Sequence, residues 1–388
     1  MIQAIVNTKL VMEDGIIFDG VLLHENGRIV AVGPAAEIVV PQDAAVYDAG
    51  GLYTAPGLVD IHCHGSDKDF FHLDPLACCR HFVRHGTTTV LPTFYCNLNA
   101  EEILSGAARV RQVSQTGVGR IMAGLYMEGP YMCGLGSNQR SILWGGEIKK
   151  EEYTPIVEAL RGFARIWAID PERPGIEDFV RDVHEADPDA LFAMGHSTAR
   201  AADCRRLKKY GLAVQTHHGD SGKAPGSAQG TVGAGCDEFT LYDSDIYAEL
   251  ICDERGIHVQ PDMIKLVVRT KGVERMILIT DCMPSQGEYT NNEAEGIAYG
   301  PDLNYDYEGH LAGSHLTLEN ACRNLMSHTG YGLCHAIRFA SLNPARLLGL
   351  DGQIGSLEAG KLANLMLIDD AVHVSRVILE GETVYSEA

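Results

Sequence analysis

The chain has 388 residues, of which 45% are hydrophobic and 21% are charged, as in an ordinary globular protein. Its formal net charge of −21 argues against nucleic acid and against an anionic membrane surface as partners, because both are bound through clusters of Lys and Arg. The 11 Cys residues follow no repeating spacing, and no signal peptide or long apolar segment is recognisable, so we expect reduced thiols and a cytoplasmic protein.

The N-terminal part of the chain has the pattern of short strands joined by tight turns. Its β-prone stretches are Ala4–Val11, Gly15–Leu23 and Arg28–Gly33. Between the last two, Glu25-Asn26-Gly27 indicates a hairpin, since Asn-Gly favours the backbone that a two-residue turn requires. We therefore predict β structure at this end of the chain.

The middle of the chain alternates apolar runs with stretches that we predict to be helices, such as Glu101–Val113 and Ala199–Tyr210. The eight apolar runs are Gly57–His64, Thr87–Phe94, Ile121–Glu128, Ile166–Asp170, Leu191–His196, Ala213–His217, Ala248–Cys252 and Met276–Asp281. Eight strand–helix units predict an α/β fold, a (β/α)8 TIM barrel, in which the chemistry lies at the carboxyl ends of the strands.

The C-terminal part returns to the β pattern. Ala363–Ile368 has the composition of a buried strand, and Arg376–Tyr385 that of a hairpin that turns at Glu380-Gly381. We therefore predict two domains. A small β-sandwich built from both chain ends comprises residues 1–53 and 354–388, and the barrel comprises residues 54–353.

The candidate ligands are imidazole and carboxylate side chains at the ends of five of the runs. They are His62 and His64, Glu128, His196, His217 and Asp281. Side chains at i and i+2 of a strand share a face, so His62 and His64 are expected to point together into the barrel mouth, with Cys63 turned away.

A single His at a strand end is more often a hydrogen-bonded structural residue than a ligand. Four His and two carboxylates at one end of a barrel form a different pattern, because neutral imidazole and carboxylate are the ligands that Zn²⁺ and similar divalent cations prefer. The sequence therefore predicts a site for one or two divalent metal ions. We expect Zn²⁺, while the ligand types also suit Fe²⁺ and other divalent metals.

Several segments of the chain resemble one family in matching order, over about residues 50–370. They are Pro56–Gly65, Met127–Pro130, Gly195–Ser197, Ile279–Asp281, Leu311–Thr317, Asn343–Ala345 and Gly360–Asn364. They resemble the amidohydrolase superfamily and, within it, the N-acetylglucosamine-6-phosphate deacetylases. The His-x-His of the first run marks the superfamily, whereas Glu-Gly-Pro together with Gly-His-Ser is specific for this branch.

The resemblance implies a role for each strand-end residue and a homodimer as the assembly. Glu128, His196 and His217 would hold one metal ion, and His62 and His64 a second, with Glu128 bridging the two. Asp281 would be both a ligand and the general base and acid of an amide hydrolysis. The implied reaction removes the N-acetyl group from a small-molecule amino-sugar substrate with metal-activated water.

The predicted substrate contacts depart from the family pattern. His258 matches a family His that contacts substrate, with a purely structural role as the alternative. After the ligand His217, the family Asn is replaced by Asp220, next to Gly219, and the expected phosphate-binding Arg is absent. Lys223 is the nearest cation there. Arg140 lies near a family substrate-binding His, where it would bind a phosphate or a sugar acid, or else form a surface ion pair.

Because a carboxylate beside a phosphate dianion is repulsive, Asp220 raises the hypothesis that the substrate is not the standard 6-phosphate sugar. Two alternatives stay open at this point. The first is an amidohydrolase that acts on an N-acyl amino acid or a cyclic amide. The second is an inactive barrel that serves as a binding module, against which the six retained candidate ligands argue.

Overall fold

The computed structural model describes residues 1–133, 143–220, 222, 233–285, 300–306 and 309–387. The strands in chain order are β1 Gln3–Val11, β2 Ile16–Glu25, β3 Arg28–Pro34, β4 Ala45–Asp48, β5 Tyr53–Pro56, β6 Leu58–Cys63, β7 Thr87–Tyr95, β8 Leu125–Glu128, β9 Ala164–Ile169, β10 Leu191–Met194, β11 Leu212–Gln215, β12 Tyr247–Ile251, β13 Met276–Ile279, β14 Leu303–Tyr305, β15 Leu311–Ser314, β16 Leu365–Ile368, β17 Val374–Leu379 and β18 Glu382–Ser386.

The helices follow the same order along the chain. They are α1 Pro75–Arg84, α2 Ala100–Val113, α3 Lys150–Leu160, α4 Ile176–Ala186, α5 Ala201–Leu207, α6 Cys236–Tyr242, α7 Pro261–Lys271, α8 Leu318–Thr329, α9 Leu333–Ala340 and α10 Leu342–Leu347, with 3-10 turns at Gly117–Ile121 and Lys208–Tyr210. In the described part of the chain, no helix is both long enough and apolar enough to cross a membrane.

Strands β6 to β13 form one eight-stranded parallel sheet in sequential order, which confirms the predicted barrel. The backbone closes it between its first and last strands. The N–H of Asp281 donates to the carbonyl of His62 at 2.9 Å, and the N–H of His64 donates to that of Cys282 at 2.8 Å. The strands read as continuous apolar runs in the sequence because a parallel sheet covered by helices is buried on both faces.

The helices between these strands begin where the sequence supplies a cap. Helix α2 starts at a capping box: the Asn99 side chain accepts from the N–H of Glu102 at 3.0 Å, and the Glu102 carboxylate accepts from the N–H of Asn99 at 2.8 Å. The predicted helix Ala199–Tyr210 is α5 followed by a 3-10 turn, Lys208–Tyr210. Both predicted helices are thus present, with bounds shifted by a few residues.

The two chain ends meet in a second eight-stranded sheet, in the order β18-β17-β16-β5-β1-β2-β3 with β4 paired to β1. Its two predicted hairpin turns are present, with positive φ at Asn26 and Gly27 and at Glu380 and Gly381. Met366 on β16 belongs to the same apolar cluster as the barrel strands, so the terminal sheet shares a core with the barrel. The predicted border at residue 53 falls on the first residue of β5, and the domain limits stay a prediction.

Candidate metal centre

The candidate ligands lie at the carboxyl ends of barrel strands and are brought together there. His62 is in β6 and Glu128 is the last residue of β8, while His196, His217 and Asp281 each follow their strand by two residues. All of these side chains are buried, as is His64 directly after β6. The convergence that the sequence predicted is therefore present.

Three of the candidate ligands have a left-handed backbone, a feature that the sequence did not reveal. The φ angles are 45° at His196, 25° at His217 and 51° at Asp281. Residues other than Gly seldom adopt such angles, and they cluster at functional sites. Gly195 is required beside the first of them, since a Cβ there would lie 2.6 Å from the Cβ of Thr216.

Glu128 stands between two pairs of imidazoles. Its Oε1 lies 3.0 Å from Nε2 of His196 and 3.2 Å from Nε2 of His217. Its Oε2 lies 3.2 Å from Nε2 of His64 and 3.8 Å from Nε2 of His62. Each carboxylate oxygen thus faces one His pair, an arrangement that is suited to a bridging ligand.

Asp281 completes the cluster on the side of the His-x-His pair. Its Oδ1 lies 3.0 Å from Nε2 of His64 and 3.5 Å from Nε2 of His62. Two groups therefore have ligand atoms within 4.8 Å of one another: His62, His64 and Asp281, and His62, Glu128 and His217. His62 belongs to both groups.

The donor set fits a divalent cation on two grounds. Nε2 of His62 and Oδ1 of Asp281 are shielded from solvent, and within the described residues neither makes a hydrogen bond of good geometry, although charged groups lie close to both. Polar atoms buried in this way are costly unless something pairs with them. Imidazole nitrogens and carboxylate oxygens at these separations are the chemistry that Zn²⁺ and its neighbours bind.

The electrostatics of the cluster also call for positive charge. Burial alone would lower the pKa of His64, but the carboxylates of Asp281 and Glu128 raise it to about 9. The same competition raises the pKa of His217, with Glu128 as the main partner. Although burial raises the pKa of Glu128, its His neighbours outweigh burial and hold that pKa well below the ordinary value. The carboxylates stay ionised and are stabilised by cations.

Two buried carboxylates that sequence reasoning missed form hydrogen bonds with the candidate ligand His62. Glu249 on β12 accepts from Nδ1 of His62 at 3.2 Å. Asp60 on β6 accepts from the Thr280 hydroxyl at 2.6 Å and from the N–H of His62 at 3.2 Å. The available signal was a single acidic residue in each of two strands that are otherwise mostly apolar, LVDIHC and YAELI.

The candidate substrate residues are less closely gathered. His258 is buried, and its two ring nitrogens face Oδ2 of Asp253 and the carbonyl of Gly313, each at 3.1 Å. This geometry favours the structural alternative, and a substrate contact stays a prediction. Gly219 and Asp220 are exposed, and Oδ2 of Asp220 lies 4.0 Å from Nδ1 of the candidate ligand His217.

Two further residues of the predicted substrate set, Arg140 and Lys223, lie outside the residues that the structure describes. Their proposed contacts with a phosphate or a sugar acid therefore stay predictions. Within the described part of this set, the Asp220 carboxylate faces the ring of the candidate ligand His217.

A sequence model of the amidohydrolase family matches residues 53–384 of the chain. An N-acetylgalactosamine-6-phosphate deacetylase of Escherichia coli O157:H7 is 31% identical, in an alignment that covers 96% of this chain and 97% of the relative. An N-acetylglucosamine-6-phosphate deacetylase of Vibrio furnissii is 28% identical, and 100% of this chain aligns with 94% of it.

Solved structures of similar proteins have the same fold. A mutant N-acetyl-D-glucosamine-6-phosphate deacetylase from Mycobacterium smegmatis, in complex with N-acetyl-D-glucosamine-6-phosphate, aligns with a TM-score of 0.82 and 26% identity over 99% of this chain and 100% of that one. The N-acetylglucosamine-6-phosphate deacetylase from Pasteurella multocida aligns with a TM-score of 0.85 and 24% identity over 100% of both chains, a likeness of fold alone.

Proposed function

This protein belongs to the amidohydrolase family, and on that premise we propose that it removes the acetyl group from an N-acetylated amino-sugar phosphate. The observation that carries the proposal is the convergence of four imidazoles and two carboxylates at the barrel mouth. The family is dependent on divalent metals, and this cluster supplies ligands of the required type.

The chemistry of an amide hydrolysis can be assigned to these side chains. A divalent cation, when bound, lowers the pKa of water to about 7 and polarises the acyl oxygen. His196 and His217 lie next to Oε1 of Glu128, and His62 and His64 lie next to Oε2, so these five side chains would hold the cation or cations.

In this proposal, the Asp281 carboxylate accepts the proton of the attacking water and returns it to the departing amine. No Ser or Cys nucleophile is needed. Asp281 must be ionised to accept a proton from water. Although burial raises the pKa of Asp281, the neighbouring imidazoles outweigh burial and lower that pKa below the ordinary value, which keeps the carboxylate ionised.

The sugar is proposed from the relatives, which act by name on the galacto and the gluco 6-phosphates. Asp220 indicates that this protein does not bind a substrate phosphate in the way the family does, because its exposed carboxylate would repel a dianion bound nearby. The cytoplasmic location and the homodimer stay predictions. All eleven thiols are free in the structure, in keeping with a reducing compartment.

The test is a substrate panel with zinc-loaded protein. Acetate release is measured on the 6-phosphates of N-acetylgalactosamine and N-acetylglucosamine, on the unphosphorylated sugars, and on an N-acetyl amino acid. We expect release from at least one phosphosugar and none above background with Asp281→Asn. Turnover by that variant at the wild-type rate, or no release from any sugar by metal-loaded protein, would refute the proposal.

Asp220→Asn resolves the question of the phosphate. If the carboxylate opposes a phosphate, the variant has a lower KM for the phosphosugars than the wild type and an unchanged KM for the unphosphorylated sugars. A clear wild-type preference for N-acetylglucosamine-6-phosphate that the substitution does not alter would refute a mode of phosphate binding different from that of the family.

A further inference from the structure

Glu249 is a fully buried carboxylate that contacts residues of both candidate ligand groups. It lies on β12, a strand whose residues are all buried. Its Oε2 accepts a hydrogen bond from Nδ1 of His62 and another from the backbone N–H of His217, each at 3.2 Å. His62 and His217 come from different strands, so this one carboxylate ties together two sides of the centre.

The contact with His62 determines which nitrogen of that ring has a lone pair available to bind a cation. A carboxylate only accepts hydrogen bonds, so Nδ1 of His62 carries a proton in this contact. The opposite nitrogen, Nε2, is the atom that lies 3.5 Å from Asp281 and 3.8 Å from Glu128. A neutral ring held in this way presents the lone pair of Nε2 to a metal, and the carboxylate raises its basicity.

The contact with His217 acts on the backbone rather than on the ring. His217 has a φ of 25°, a conformation that costs free energy for a residue with a side chain. Its N–H is held by Glu249, and its ring is thereby directed at Glu128, 3.2 Å from Oε1. The same carboxylate oxygen thus stabilises a strained conformation that the centre needs.

A neutral aromatic side chain also packs against His62. The ring of Tyr126 packs against that of His62, with centroids 4.5 Å apart, and its hydroxyl lies 2.7 Å from the hydroxyl of Thr216. Both are neutral groups. Burial raises the pKa of Tyr126 well above its ordinary value, and the charge of Glu249 and a hydrogen bond to its side chain raise it further, so Tyr126 also contacts this carboxylate.

We propose that Glu249 is a positioning residue that fixes the tautomer of His62 and the backbone of His217, and thereby sets the metal affinity of the centre. The proposal rests on the proposed function only in that both assume a divalent metal at this site. It predicts that the ion held by His62 depends on a residue that touches neither metal nor substrate.

The test measures metal binding rather than turnover. Metal-free protein, prepared with a chelator, is titrated with Zn²⁺ in competition with a coloured chelator, for the wild type, Glu249→Gln and Glu249→Leu. Because the Gln side chain keeps an acceptor oxygen but loses the charge, we expect it to weaken one of the two dissociation constants by about 10- to 100-fold. The Leu variant, which removes the acceptor, should weaken it further.

A matched control comes from a carboxylate–histidine pair elsewhere in the molecule. Glu319 on α8 is also buried, and its Oε1 lies 2.7 Å from Nδ1 of His85. Glu319→Gln should leave zinc affinity unchanged, since its partners His85 and Thr317 do not belong to the centre. Equal weakening in Glu319→Gln and Glu249→Gln would overturn the proposal, and so would wild-type affinity in both Glu249 variants.

A spectroscopic measurement separates positioning from a general loss of packing. The visible absorption of Co²⁺-loaded protein reports the coordination of the ion, and we expect a changed spectrum in Glu249→Gln and an unaltered one in Glu319→Gln. If zinc binding depends on Glu249 while no sugar is deacetylated, the positioning role holds and the proposed function fails. If sugars are deacetylated while zinc affinity is independent of Glu249, the proposed function holds and the positioning role fails.

Discussion

At the scale of single residues, the candidate ligands differ in what the backbone must do to present them. His62 and Glu128 lie inside strands, where an extended backbone already directs alternate side chains inward. His196, His217 and Asp281 lie beyond their strands with positive φ. The sequence revealed which residue types converge, because strand ends meet at the barrel mouth. It could not reveal the backbone strain at positive φ, because the presence of a His or an Asp does not predict a left-handed backbone.

The His-x-His pair offers a residue-scale prediction about metal content. His62 and His64 face Oε2 of Glu128, while His196 and His217 face Oε1. Replacing His62 and His64 with Asn should therefore remove one ion and leave the second, so that zinc per chain falls by about half. Atomic emission spectroscopy of dialysed protein measures this ratio. Complete loss of zinc, or no loss, would contradict the assignment of one pair to each ion.

The buried pair of His258 and Asp253 gives a prediction about pH. Burial lowers the pKa of His258, but the hydrogen bond to Asp253 outweighs it, helped by the charges of Asp220 and Asp281, and the net pKa is raised. The folded state therefore binds this proton more tightly than the unfolded state, whose ordinary value is 6.5. The stabilisation is fully present below pH 6.5 and is lost as the pH rises through the raised value.

Comparison with His258→Asn isolates this contribution. The difference in unfolding midpoint between the wild type and the variant should be largest near pH 6 and should shrink steadily toward alkaline pH, at constant zinc concentration. Unfolding in urea, followed by fluorescence across the pH series, provides the measurement. A difference that does not vary with pH would mean that His258 is neutral in the folded protein.

At the scale of elements, the barrel strands were predictable and their ends were not. Each apolar run extends as far as its polar tip, so the predicted strands include residues that belong to the loops. The run Ile121–Glu128 is the clearest case: it begins in the 3-10 turn Gly117–Ile121, and the strand starts only at Leu125. Apolar composition marks burial, and a buried turn is as apolar as a buried strand.

The closure of the barrel between β6 and β13 gives an element-scale prediction. The Thr280 hydroxyl donates to Asp60 at 2.6 Å, and both residues are wholly buried. Thr280→Val keeps the shape but leaves that carboxylate oxygen without its donor, which should lower the free energy of unfolding by about 1–3 kcal/mol. Urea unfolding of the metal-loaded protein measures the loss. Thr280→Ser retains the hydroxyl and should lose clearly less; equal losses would show that methyl packing is responsible.

At the scale of the whole molecule, the sequence indicated that both chain ends are β structure but not how they pair. In the structure β5 and β16 are antiparallel neighbours, with Pro56 opposite Leu365. The support of His62 by Glu249 likewise joins residues 187 positions apart. Such contacts depend on how the elements are arranged in space, which local pattern and composition do not contain. This is why the ligands were predictable and their supporting carboxylates were not.

The junction between the terminal sheet and the barrel contains a network of ion pairs. Arg338 on α9 is buried, and its guanidinium lies 3.1 Å from Oε1 of Glu13, in the turn between β1 and β2. It also pairs with Glu274, which precedes β13. Arg346 on α10 contacts the same two acids, at 3.0 Å and 2.7 Å. Two arginines thus hold one acid from each part of the molecule.

Replacing Arg338 with Met tests whether this network holds the two parts together. The acids stay partly exposed and keep Arg346, so the loss is moderate, and we expect the thermal midpoint to fall by about 2–4 °C. The shift should be smaller in about 0.5 M salt, which screens the exposed acids. Zinc content should not change, because the network touches no ligand.

Arg181→Met, which removes a surface arginine paired with Asp178 on α4, is the matched control and should shift the midpoint little. The two substitutions delete the same charge, but Arg338 is buried whereas Arg181 is not. The salt dependence of the shift therefore separates the charged network from lost packing of the buried side chain. Equal midpoints would show that the apolar core shared by β16 and the barrel suffices to join the two parts.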